Sequence, residues 1–257
     1  MDQAVQILAR WFADAVHIAV VTGAGISAES GLRTFRGTTG MAPDMAALWK
    51  DFDPATLATP EAFERDPELV SRWYDWRRRG CLDAEPNPGH IALAELERRT
   101  IARGGRFVLL TQNVDRLHQR AGSVSVVELH GTIMEWRCTR TGRRFTPGAG
   151  AMERFPPPSP FDAGGLLRPD VVWFGEPLPR EAVEAAQAAA AACDLFISIG
   201  TSSVVYPAAG FIQAAGARGA RTAEVNLEAT PISEWVDVSI RGKAGDVLPR
   251  LLAATRA

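Results

Sequence analysis

The 257-residue chain lacks the features that mark several broad classes of protein. Its three cysteines, Cys81, Cys138 and Cys193, lie far apart with no C-x-x-C pair, which argues against a disulfide framework and a four-cysteine zinc site. Apolar runs such as residues 16–21 and 195–199 are far too short to cross a bilayer. Asp2, Arg10 and Asp14 break up the first 21 residues, so no signal peptide is expected and a cytoplasmic location is. There is no large charge excess either. A net charge of −2 and a pI near 6.1 give no whole-chain reason to expect nucleic acid or membrane, and point to a small-molecule or protein partner. No G-x-S-x-G elbow occurs, which argues against a serine hydrolase of that type, and no internal repeat is found.

What is present is organised around residues 23–37, which run from Gly23-Ala24-Gly25-Ile26-Ser27 to Phe35-Arg36-Gly37, directly after the apolar run 16–21. A short β-branched strand meeting two close glycines and a helix start brings backbone N–H groups near an anion, as in a phosphate cradle. Gly23, Gly25 and Ala28 satisfy G-x-G-x-x-[G/A]. Alone, the pattern fits a ligand-free strand-to-helix turn equally well. A dehydrogenase should continue with a second strand ending in Asp or Glu about 20 residues on. Residues 37–65 are instead rich in Gly, Pro and Thr, so a plain hydride-transfer domain fits poorly.

Val5, Leu8, Trp11, Phe12 and Ala15 recur at helical spacing and predict a helix over residues 2–13. Pro67 and Pro88 open two more, the first carrying Leu69, Val70, Trp73 and Trp76. Strands are expected at 107–110, 124–129, 171–174, 195–199 and 223–225, with helices at 181–192, from Pro207, and at 245–254. Alternation of this kind implies an α/β fold with a doubly wound, parallel, Rossmann-like sheet. Two insertions interrupt it. Residues 1–36, 81–132 and 166–257 are assigned to the sheet domain. Residues 37–80 and 133–165 form a smaller domain, a helical module plus a weakly periodic excursion.

Gln112-Asn113-Val114-Asp115, His130-Gly131, Gly200-Thr201-Ser202 and Asn226-Leu227-Glu228 all fall at predicted strand carboxyl ends, where open α/β sheets bind ligands. Helix caps explain each one singly but not all of them together. His130 is a candidate general base because an imidazole titrates in the useful range, with a hydrogen-bonded structural histidine as the plain alternative.

Gly23-Ala24-Gly25-Ile26-Ser27 through Phe35-Arg36, Thr111-Gln112-Asn113-Val114-Asp115-Arg116-Leu117-His118, Leu129-His130-Gly131, Val172-Trp173-Phe174-Gly175-Glu176, and Gly200-Thr201-Ser202 through Val205-Tyr206-Pro207 together resemble the sirtuin NAD-dependent protein deacylases. The resemblance runs in order from Gly23 to the region of Ala244. It implies NAD as cofactor, an acyl-lysine protein substrate entering between the two domains, release of nicotinamide, and transfer of the acyl group to ADP-ribose. On this resemblance His130 is the general base and Asn113 orients the ribose and a water. Gly23, Ala24, Gly25, Ser27, Phe35, Arg36, Gln112, Asn113, Val114, Asp115, Gly200, Thr201, Ser202, Asn226, Leu227, Glu228 and Ala244 are the cofactor-binding set.

Within that set, Arg36 and the amides of residues 23–25 would offset phosphate charge, Phe35 would cover the reacting carbon, and Asp115 with the Val114 backbone would hold the nicotinamide amide. Val172, Phe174, Gly175 and Glu176, with Val204-Val205-Tyr206, would form two extended edges that take the substrate backbone by strand addition. His90 and His118 are read as structural. Two other readings stay open: an NAD hydrolase or ADP-ribosyltransferase, and a non-catalytic NAD or ADP-ribose sensor.

Tyr74 and Arg77 lie three apart on one predicted helix face, and a phenol beside a guanidinium suits a carboxylate. The pair is similar to the Tyr-x-x-Arg of class III sirtuins, which implies removal of succinyl, malonyl or glutaryl groups. A solvated basic run through Arg79 is the bland alternative. The family commonly holds a structural zinc on two cysteine pairs. Here Thr141 stands where the partner of Cys138 should be, and no further cysteine occurs before Cys193. A tetrahedral site cannot be assembled from that set, so zinc is expected to be absent, with Trp136, Phe145, Phe155 and Phe161 packing the excursion instead.

Overall fold

The computed structural model describes residues 2–32 and 54–255. Helix α1 (Asp2–Asp14) leads into strand β1 (His17–Thr22), the short helix α2 (Ala24–Ser27) and a 3-10 turn. After residue 53 come α3 (Pro54–Leu57), α4 (Pro60–Arg65), α5 (Pro67–Asp83) and α6 (Pro88–Ala102). Their starts follow from local chemistry. Thr59, Asp66 and Asn87 each accept a backbone N–H at the opening of α4, α5 and α6, and a proline follows each cap.

The chain continues through β2 (Arg106–Thr111), α7 (Leu117–Arg120), β3 (Val126–Glu128), β4 (Gly131–Cys138), β5 (Arg144–Phe145) and β6 (Leu167–Val171). It ends with α8 (Arg180–Ala192), β7 (Leu195–Ile199), α9 (Gly210–Gly216), β8 (Arg221–Asn226), β9 (Val238–Arg241) and α10 (Ala244–Ala254). Six strands form a parallel sheet in the order β3-β2-β1-β7-β8-β9. Strand order reverses between β1 and β7, and that reversal opens a crevice at their carboxyl ends.

Alternation along the strands feeds two cores. Ile18, Val20, Leu109 and Ile197 pack with Leu8, Phe12, Leu93, Leu96 and Leu251 on one face. Ala19, Val21, Leu110 and Phe196 pack with Ala186, Ala190, Phe211 and Ile212 on the other. A sheet covered on both faces explains why β1 and β7 are mostly apolar and do not alternate with polar residues, Ser198 being the one polar residue inside β7.

A second sheet, β5-β4-β6, is antiparallel. It shares a third core with α4 and α5, in which Trp73, Tyr74, Trp136 and Trp173 are buried. Phe145 and Phe161 pack against this core as expected, whereas Phe155 lies under the Arg72 guanidinium, 4.8 Å from its ring centroid.

Among the described residues no group of three or more His, Cys, Asp or Glu is placed to hold a metal. The Cys138 thiol is held down at about 7 by hydrogen bonds with the Ser159 and then the Thr141 hydroxyl. A Cβ on Gly165 would sit 2.9 Å from its sulfur. Hydroxyls are not ligands of a structural zinc, so this surround does not fit one. Among the described residues no helix is long and apolar enough to cross a membrane.

Candidate active site

The crevice is built on close backbone approach. Gly200, at the end of β7 with φ +59, packs against residues 25–26, and a Cβ on it would lie 2.5 Å from the Ile26 nitrogen. A Cβ on Gly25 would lie 2.7 Å from the Gly200 carbonyl oxygen. Two of the three amides expected at the phosphate cradle have partners within the chain. The Gly25 amide donates to Gly200 O at 2.7 Å and the Gly23 amide to Ile199 O at 3.1 Å. These two amides therefore join the turn to β7, and the glycines are required by strand-to-turn contact before any ligand arrives.

Around this turn the strand ends converge as the sequence suggested. The Asn113 amide donates to Gly23 O at 3.1 Å and Ser27 Oγ at 3.0 Å, which leaves its carbonyl oxygen as the group able to meet a ligand. Ser27 in turn donates to Asp115 Oδ2 at 2.8 Å. Burial raises the Asp115 carboxyl above its ordinary range, opposed by hydrogen bonds from Leu117 and Ser27. Gln112 reaches across the crevice to Thr201 Oγ1 at 3.0 Å. The Val114 carbonyl accepts from Ile133 N at 3.0 Å and Thr132 Oγ1 at 3.3 Å, so it serves β4 and is not open to a ligand amide.

His130 is half-buried, and its Nδ1 lies 3.0 Å from the Gln112 carbonyl oxygen. A carbonyl only accepts, so the proton sits on Nδ1 and Nε2 presents its lone pair. Burial lowers the pKa of this ring, with the Gln112 contact working the other way.

Beneath the turn lies a polar layer that the sequence reading left aside. Asn87 N donates to His90 Nδ1, which fixes His90 Nε2 as a donor towards Ser27 Oγ at 3.4 Å. His118 Nε2 meets Thr22 Oγ1 at 2.9 Å, and Thr22 donates to Thr111 Oγ1 at 2.9 Å. Burial pushes His90 down to about 4, and His118 well below its ordinary value. Both rings are structural in the sense expected, yet they stand directly behind Ser27 and Thr22. The available signal was a threonine closing each of two apolar strands, β1 and β2.

Asn226, Leu227 and Glu228 follow β8, with Asn226 Nδ2 donating to Glu228 O at 2.9 Å and the Leu227 side chain exposed. Ala244 is buried at the start of α10, where Glu29 Oε1 accepts the Gly245 amide at 2.9 Å. Ala24 opens α2 within the same turn, and Ser202 is half-buried after β7. Phe35 and Arg36 lie outside the described residues.

Tyr74, expected to meet the acyl group, is buried, edge-on to Trp73 with centroids 4.6 Å apart. The Arg77 guanidinium lies over both rings, 4.6 Å from Trp73 and 5.5 Å from Tyr74. Burial pushes the Tyr74 phenol up to about 12, opposed first by Arg77, so it remains a neutral hydrogen-bond donor.

The two expected extended edges are turns here. Residues 174–175 form a turn in which Glu176 N donates to Trp173 O, and residues 205–209 are bends and turns. The donors of the first edge are already engaged: Val172 N on His130 O, Trp173 N on Glu176 Oε2, and Phe174 N on Ala58 O. Glu176 itself turns inward to Arg168, at 2.6 and 2.9 Å, a partner that the sequence reading missed. Apolar side chains of Phe174, Val204, Val205 and Tyr206 stay exposed.

The description "Sir2 family" belongs to the family model that matches residues 23–207. The chain is 51% identical over 245 residues to NAD-dependent protein deacylase 2 of Pyrobaculum aerophilum, covering 95% of this chain and 93% of that protein. It is 42% identical over 265 residues to the mitochondrial NAD-dependent protein deacylase sirtuin-5 of Canis lupus familiaris, covering 95% and 83%. A solved complex of a Sir2 homologue with NAD superposes with a TM-score of 0.87 at 42% identity, covering 97% of this chain and 93% of that one. Likeness of this extent, in sequence and in backbone alike, leaves one conclusion: the chain belongs to the Sir2 family.

Proposed function

We propose that this chain is an NAD-dependent protein-lysine deacylase that passes the acyl group to ADP-ribose with release of nicotinamide, and that it favours succinyl or malonyl lysine as well as or over acetyl. The observation that carries the reaction class is that Asn113, Ser27 and Gly200 meet the turn where strand order reverses, with His130 linked to them through the Gln112 carbonyl beside Asn113. NAD supplies an electrophilic ribose carbon with nicotinamide as leaving group. The chain's residues do the rest. His130 Nε2 takes a proton from a ribose hydroxyl, and Asn113 orients the ribose and a water through its carbonyl oxygen.

Support for the acyl preference comes from Tyr74 and Arg77. A neutral phenol and a guanidinium held by two aromatic rings suit a terminal carboxylate, and a methyl group would use neither. This reading keeps the division into a sheet domain of residues 1–36, 81–132 and 166–257 and a smaller domain of 37–80 and 133–165; the separate core around Trp73 and Trp136 supports two units, but it also takes in Cys81, Leu167, Val171 and Trp173, which moves β6 to the smaller one. The unpaired cysteines support a reducing, cytoplasmic setting. The test compares succinyl- and acetyl-peptide turnover by wild type and Arg77→Met. Selective loss on the succinyl peptide is expected. Equal loss on both, or a wild type inactive on succinyl peptide, contradicts the preference.

A further inference from the structure

Helix α5 carries, beside Tyr74 and Arg77, a buried ion pair with no part in the chemistry above. Asp75 and Arg78 are each 1% exposed. Asp75 Oδ1 accepts from Arg78 Nε at 3.1 Å and Nη2 at 2.7 Å. The same guanidinium donates from Nη1 to Gly148 O at 2.7 Å and from Nη2 to Gly150 O at 2.5 Å. The other carboxylate oxygen accepts Met152 N at 3.3 Å and lies 3.5 Å from Arg79 Nε. One fork and one carboxylate, locked to each other by two bonds, thus tie the helix to residues 148–152 at three points.

A buried pair is an expensive way to gain stability, since desolvation offsets most of the attraction. What it supplies is direction. Each contact has a required angle, so the pair fixes the rotation of α5 about its axis and its height against the loop. Tyr74 and Arg77 are the residues immediately before Asp75 and Arg78, and a rotation that shifts one pair shifts the other.

We propose that the Asp75–Arg78 pair is a positioning element for acyl selection, holding α5 so that Tyr74 and Arg77 meet a terminal carboxylate; this rests on the reading of Tyr74 and Arg77 given above. Residues 148–152 thereby become part of the specificity apparatus although none of them belongs to the reading site. A misplacement of about 1 Å is enough to weaken a directional contact severely. An acetyl group makes no such contact and depends on the strand ends around His130 and Asn113, which α5 does not supply.

Two variants test this. Arg78→Lys keeps a positive charge beside Asp75 but cannot span both carbonyls, and Asp75→Asn with Arg78→Met removes the pair without leaving a lone buried charge. Steady-state kinetics on succinyl and acetyl peptides, with a thermal melt of each variant, give the readout. For both variants the succinyl KM is expected to rise about 10-fold or more while acetyl kcat/KM stays within about 3-fold of wild type. An unchanged succinyl-to-acetyl ratio in Arg78→Lys, or parallel loss on both peptides, overturns the proposal and leaves the pair as a staple only. A wild type inactive on succinyl peptide overturns the underlying reading of Tyr74 and Arg77, and this inference with it.

Discussion

The His130 ring gives its Nδ1 proton to the Gln112 carbonyl at 3.0 Å, so the residue that begins the polar strand end of β2 sets the tautomer of the one at the end of β3. Nε2 is left as the acceptor, and burial keeps the ring neutral below the ordinary histidine range.

The first prediction concerns pH. The base acts only when neutral, and its folded pKa lies below the ordinary value of 6.5. Activity should persist as pH falls through 6.5 and decline only at more acidic pH. A kcat/KM profile with its acidic limb centred above 6.5 would contradict this. His130→Ala should lose about 10²- to 10⁴-fold in kcat while NAD binding persists.

A second prediction concerns acid stability. His90 falls from 6.5 to about 4 in the fold, so between those values the unfolded chain binds the extra proton. Stability should be highest above pH 6.5 and be lost as pH falls towards 4, by up to about 3 kcal/mol from this residue. Urea midpoints measured across that range should slope less in His90→Gln than in wild type. Parallel slopes would assign the acid loss to other groups.

How much of this was legible beforehand depended on what each residue answers to. Strands β1 and β7 are buried on both faces and therefore spell themselves as mostly apolar runs, and Asn87-Pro88 announced its helix through cap and ring chemistry. Strand β4 was missed because the register slips between Thr132 and Trp136, which breaks its alternation. The run from Val171 to Phe174 is as apolar as a strand, but the strand occupies Leu167–Val171 and Phe174-Gly175 turns away. At Gly25 the sequence revealed a need for glycine without saying whether a phosphate or a neighbouring strand imposes it. Contacts decide that, and the nearest atoms are those of Gly200.

Gly25→Ala therefore makes a third prediction. The added Cβ would meet backbone at 2.7 Å, and stability should fall by about 1–3 kcal/mol even without ligand. Gly80→Ala, on a helix with open space around the added atom, should gain about 0.5–1 kcal/mol. Thermal melts of the two separate the effects. An unaltered melt for Gly25→Ala would return that glycine to a purely ligand-facing role.

Glu176 supplies the fourth. Its carboxylate holds the mostly buried Arg168 and caps Trp173 N. Glu176→Ala should destabilise the protein by about 1–3 kcal/mol through the loss of a charged partner of Arg168, which keeps only the Val171 carbonyl and the Trp173 ring. A residue that only touched the peptide would raise KM and leave the melt unchanged, and the two measurements together distinguish these roles.

The central claim is that the crevice couples NAD cleavage to an acylated lysine. Its most direct test is mass-spectrometric analysis of NAD incubated with the protein and a panel of acyl-lysine peptides. Nicotinamide release should depend on the acyl peptide and match the appearance of O-acyl-ADP-ribose. Nicotinamide release that is equal without peptide, or no NAD cleavage with any acyl group, would contradict it.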